Sequence, residues 1–277
     1  MADTEKEGFK PRPIHFLPIF LGLVATGLLA YPIYNSGAPP AQVTPFSGSS
    51  LSNASLNAVV FVFALGASAT VMFLLIKRGR MRFIRRMIKG ALIVVSFAVA
   101  FWYAASILSI DILPILLLSI AVSALIGFTV FGKGRIRQLF GVVALSALTG
   151  VFLGYSIPLT TALVLVGALV IYDIVAVFKG PVGALAKTVS AGDLPGAMYS
   201  YGELTIGMGD LVFYSLVATT ALVTYGVFSF LGAAVGILAG TYLGFRALSR
   251  YEMFPGLPFS LLLGVAGMLL PVFLQSL

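Results

Sequence analysis

Asp173 and Asp210 are the residues of this chain best placed to do chemistry, because each stands in an otherwise apolar run. Asp173 lies in Leu169-Val-Ile-Tyr-Asp-Ile-Val-Ala-Val-Phe178, and Asp210 closes Gly207-Met208-Gly209-Asp210. Acids in such surroundings are costly; they usually face a bundle interior or water and mark a functional pathway. Two carboxylates facing each other at low dielectric do not readily both ionise. They share a proton and can work together as base and acid. The base would activate a water while the acid protonates a carbonyl or leaving group. On position alone, the pair suits a proton or cation site in a transporter equally well.

The neighbours of these acids are small or backbone-perturbing. Gly207, three residues before Asp210, would share its helical face and let a partner helix or an extended peptide approach. Gly209 adds backbone freedom, and Tyr214, four residues on, could hydrogen-bond Asp210 or pack as an ordinary aromatic. Further along stands Phe254-Pro-Gly-Leu-Pro-Phe259. Pro255 and Pro258 lack N–H groups and disfavour helix in the residue before them, which predicts a non-helical or kinked entry to the next apolar run. Irregular backbone at membrane depth is tolerated only when buried or lining a water-filled cavity. Asp111, Asp193, Glu203 and Glu252 fall at run ends or in loops, where solvated or helix-capping roles are expected.

The elements that must position these residues are membrane spans. Of 277 residues, 60% are hydrophobic and only 9% charged, far below the charged fraction of soluble domains. Nine runs approach the roughly 20 residues needed to cross the hydrocarbon. They lie at about 15–34, 54–76, 90–109, 112–131, 139–155, 158–178, 205–224, 227–245 and 256–275. The predicted fold is all-α and polytopic. Residues 1–13 form a polar tail, 14–178 hold spans one to six, 179–204 a polar loop, and 205–277 the last three spans. With nine spans, all 17 Lys and Arg residues fall on one side, so the N-terminus is expected in the cytoplasm and the C-terminus outside. The first run is too long for a signal-peptide core and reads as a retained span.

Spans six and seven would run antiparallel, with Asp173 five residues before the end of one and Asp210 five residues after the start of the other. Both acids would then sit roughly 8 Å below the cytoplasmic boundary, and side-by-side packing would let them meet. In span eight, Gly232, Gly236, Gly240 and Gly244 recur every four residues, a stripe suited to close intramolecular packing.

Composition also excludes. Without cysteine there are no disulfides, iron–sulfur clusters or thiolate zinc sites. The single histidine, His15, cannot build a multi-histidine metal centre, and its place at the start of span one does not suit serine–histidine proteolysis within the membrane. The basic run Lys77–Lys89 reads as a topology signal touching anionic headgroups, with no nucleic-acid role. No cofactor or metal is expected.

Tyr172-Asp173, Gly207-Met208-Gly209-Asp210 and Pro255-Gly256-Leu257-Pro258, in this order and at these span numbers, resemble the presenilin and signal-peptide-peptidase family of intramembrane aspartyl proteases. The whole nine-span layout takes part, and the chain looks like a short archaeal-type homologue. Gly256 departs from the family's usual alanine. The resemblance implies that Asp173 and Asp210 are the catalytic pair. It also implies that the Pro-Gly-Leu-Pro residues and the stretch before Gly207 hold a single-span transmembrane substrate in extended form. It further implies a multi-pass protein of the cell membrane, active without obligatory partner subunits and able to form a homo-oligomer.

Overall fold

The structure, a computed structural model, describes residues 12–178, 196, 198–201, 204–248 and 255–276. Among them are nine helices long and apolar enough to cross a membrane, so the protein is an all-α, polytopic membrane protein. A short 3-10 turn (Pro13–Phe16) leads into α1 (Leu17–Ser36). It is followed by α2 (Leu51–Lys77), α3 (Met81–Ile107), α4 (Ile112–Val130), α5 (Arg135–Ser156) and α6 (Leu159–Phe178). A small hairpin, β1 (Met198–Tyr201) and β2 (Leu204–Gly207), precedes α7 (Met208–Tyr225), α8 (Val227–Leu248) and α9 (Leu257–Gln275). The expected loop at 179–204 lies largely outside the described residues, as do the acids Asp193, Glu203 and Glu252.

Of the boundaries that differ from the sequence expectation, three bear on the basic side and the site. Helix α3 begins at Met81, not near residue 90, so most of the basic run is helical. Arg and Lys are good helix formers, and Arg82, Arg85, Arg86 and Lys89 follow the i, i+3, i+4, i+7 rule that places them on one face. Ile84 is fully buried behind them. Helix α5 begins at Arg135, four residues before the apolar run. Helix α7 begins at Met208, because residues 204–207 pair as a strand, Met198 opposite Gly207 and Tyr199 opposite Ile206. Asp111 does occupy the N-cap position of α4, but its side chain makes no capping hydrogen bond.

Helices in lipid gain nothing by hiding apolar surface from one another, so close backbone approach and interhelical hydroxyls decide their packing. Two small-residue seams dominate. On α5, a β-carbon added at Gly150 would meet Ser215 and the Val212 carbonyl, and one at Gly154 would lie 2.6 Å from the Leu216 carbonyl. This brings α7 against α5, where both helices are mostly enclosed. On α8, β-carbons added at Gly232, Gly236 and Gly240 would strike the carbonyls of Gly267, Leu263 and Phe259 of α9. Gly232, Gly236 and Gly240 thus form an intramolecular packing seam, as the spacing predicts, whereas a β-carbon at Gly244 would meet no atom within 4 Å. Hydroxyls pin the centre: Thr26 of α1 donates to Ser215 of α7 at 2.8 Å, and Thr241 of α8 meets Ser260 of α9 at 3.0 Å. The outer helices α2, α3 and α4 turn large apolar side chains outward, among them Phe63 and Phe128.

Candidate active site

Asp210 is the third residue of α7, and Gly207 is the N-cap with extended backbone (φ −71°, ψ 137°). Gly207 therefore does not share a helical face with Asp210, as its spacing had suggested. Its N–H instead faces the Asp210 carboxylate. This is the N3-to-N-cap half of a capping box, and it places a negative group at the favourable end of the helix dipole. The space beside Gly207 is tight, since a β-carbon there would lie 3.4 Å from Oδ2 of Asp210. Gly209 is exposed, with nothing within 4 Å of where its β-carbon would stand.

Asp173 sits near the end of α6, five residues before Phe178, as expected. Tyr172 is partly buried beside it, its ring 3.8 Å from where a β-carbon of Gly66 on α2 would stand. The two acid-bearing helices are antiparallel neighbours in sequence yet touch only marginally. Helix α6 packs on α2 and α9, while α7 packs on α5, α8, α1 and α9. The start of α9 supplies the missing connection.

There Pro255 is buried outside the helix, Gly256 is the N-cap, and Leu257 and Pro258 are the first two helical residues. Among the described residues the expected irregularity is confined to Pro255-Gly256, because proline is welcome in a first helical turn. That first turn leaves N–H groups without intrahelical partners. Leu257 N–H donates to Oδ2 of Asp173 at 3.0 Å, and Gly256 N–H also points to this carboxylate. On its other side, Gly256 stands 3.8 Å, measured from an added β-carbon, from Oδ2 of Asp210. One dipeptide thus touches both acids, and they are close enough for their charges to interact.

The carbonyl of Gly256 is held from behind. Tyr214 O–H reaches it at 3.4 Å and Ser260 O–H at 3.3 Å. Tyr214, Ser260 and Thr241 are all buried. Thr241 and Ser260 were not singled out by sequence reasoning, although a hydroxyl inside an apolar run carries the same signal as the acids, more faintly. A cavity of about 160 Å³ opens beside Asp210, bounded by Tyr214, Thr241, Gly244, Phe245, Gly256 and Thr205 among others. The acids themselves are half-buried. Among the described residues no group of three metal-ligating side chains is present.

Fold and site define an intramembrane enclosure for two carboxylates, and known proteins share the fold. The fold is that of a presenilin family intramembrane aspartate protease, solved in two crystal forms. The C222 form has a TM-score of 0.65 at 22% identity, covering 93% of this chain and 97% of that one. The P2 form has a TM-score of 0.64 at 24% identity, covering 95% and 98%. In sequence the chain is homologous to Presenilin-B of Dictyostelium discoideum, at 29% identity over 162 residues, 54% of this chain. It spans about a third (33%) of that relative's length. No protein-family model matches the chain.

Proposed function

We propose that this protein is an intramembrane-cleaving aspartyl protease in which Asp173 and Asp210 form the catalytic pair. The observation that carries the reading is their convergence on the Gly256–Leu257 dipeptide. The ionised member of the pair takes a proton from water, which attacks the scissile carbonyl. The protonated member donates to the carbonyl oxygen, and the tetrahedral intermediate collapses as the leaving nitrogen is protonated. Substrate is a single transmembrane segment opened locally, since a helix ties up its scissile carbonyls in its own hydrogen bonds. Strand β2 leads directly into Gly207 and offers a backbone edge to which an extended segment can pair. Gly256 borders the cavity that Thr205 and Ile206 of β2 also line, and Pro255, Leu257 and Pro258 adjoin it in the chain. The basic residues orient the N-terminus to the cytoplasm and the C-terminus outside, in the cell membrane. The enzyme acts without obligatory partner subunits.

The test is cleavage of a single-span model substrate by purified protein in liposomes, with the products mapped by mass spectrometry. Cuts within the apolar segment are expected. Cuts only in its flanks, or ion flux without cleavage, would overturn the reading.

The hydroxyl cluster gives a second expectation. Tyr214→Phe and Ser260→Ala each remove one hydrogen bond that fixes Gly256. Each should lower kcat by roughly two- to tenfold, with KM unchanged. A change in KM alone would show that these hydroxyls contact substrate instead of aligning the acids.

A further inference from the structure

At the basic end of the bundle, between two helices that carry neither carboxylate, α3 and α4 enclose an apolar groove of about 510 Å³ that opens outward. Ile93, Val94 and Phe97 line it from α3, and Ile120, Gly127 and Phe131 from the α4 side. Residues 120 to 131 cover about 16 Å at the helical rise, close to one leaflet of hydrocarbon.

Two cations cap the end of the groove where Phe131 lies. Lys89, one turn before Ile93, places Nζ 5.5 Å from the Phe131 ring centre. Arg137 lies 4.6 Å over the Phe128 ring and against Gly132, where a β-carbon would collide with its guanidinium. Its Nε is buried with no hydrogen-bond partner among the described residues. The acids among the described residues are engaged elsewhere. Asp111 starts α4 at the opposite end, and Asp173 and Asp210 belong to the active site. Two cations at the mouth of a leaflet-deep apolar groove, with no carboxylate beside them among the described residues, match an anionic headgroup joined to an acyl chain.

We propose that this groove is a binding site for one anionic phospholipid of the basic-side leaflet, its phosphate held by Lys89 and Arg137 and an acyl chain lying along α3 and α4. The site differs from general headgroup attraction to the stripe that includes Arg82 and Arg86, because it needs both the two capping cations and the open groove. It does not depend on the proteolytic reading.

Native mass spectrometry of the full chain tests it, with phosphatidylglycerol and phosphatidylcholine of matched acyl chains as probes. The parent should retain one phosphatidylglycerol in preference to phosphatidylcholine. At about 1 kcal/mol per cation, the paired change Lys89→Gln with Arg137→Gln should cut that preference about thirtyfold. Gly127→Leu, which fills the groove but keeps the charges, should weaken retention of both lipids. It also serves as the decisive variant should the double change fail to fold. An unchanged preference in the double variant, or unchanged retention in Gly127→Leu, overturns the site. So does a preference abolished by Arg82→Gln with Arg86→Gln while groove and caps stay intact.

Discussion

Asp210→Asn and Asp173→Asn are each expected to lower kcat by on the order of a hundred- to ten-thousandfold while leaving the bundle folded. Asparagine keeps the shape of aspartate and one acceptor oxygen. At position 210 it can still receive the Gly207 N–H, and at 173 the Leu257 N–H. What it cannot do is take or give the proton that the reaction passes between water, substrate and enzyme. Because the two acids act as a unit, the double variant should be little worse than either single one. Cleavage of a single-span substrate, alongside thermal unfolding of each variant, reads both halves of the expectation. A folded variant that cuts at the parental rate would falsify the paired-acid mechanism.

The second large effect lies along the glycine seam, and it should change sign within one helix. Gly236→Ala and Gly240→Ala place a methyl group into the backbone of α9, at the Leu263 and Phe259 carbonyls. Neither neighbour is a flexible side-chain end, so the helices must separate. Overpacking of this kind costs about 1–3 kcal/mol, and at Gly240 it also pushes on Ser260, which holds Gly256. Both stability and cleavage should fall. Gly244→Ala meets no atom within 4 Å, and alanine is favoured over glycine in a helix by about 1 kcal/mol. Its midpoint of unfolding should therefore rise or stay level. Equal destabilisation at positions 236, 240 and 244 would mean that the α8–α9 seam is not what the stripe is for.

Much of this was legible in the sequence, for identifiable reasons. Apolar runs of membrane-crossing length fix the helices, and Asp173 and Asp210 stand out because an acid has no cheap place in such a run. The start of α7 was not legible. Leu204-Thr-Ile-Gly207 is as compatible with a helix as with a strand, and periodicity cannot separate the two over four residues. The extent of α3 was hidden because charge, which signals the end of a membrane span, says nothing about the end of a helix. The partnership of Asp173 with Leu257 was hidden more deeply. It joins a side chain to a backbone N–H 84 positions away, and backbone donors leave no mark in the residue code. Side-by-side packing of α6 and α7 was a reasonable expectation from their adjacency, but α9 lies between their acid-bearing ends.

That intervening position has a consequence for how the protein is made. Helices α6 and α7 leave the ribosome and enter the membrane before α9 exists. During that interval Asp173 lacks its Leu257 donor, and the carbonyl clamp on Gly256 has nothing to hold. A nascent chain therefore carries both acids through the insertion machinery, among many other unfolded transmembrane segments, without an aligned pair. If the proposed pair is catalytic, competence arrives with the insertion of the ninth helix, and biogenesis itself postpones the onset of hydrolytic power.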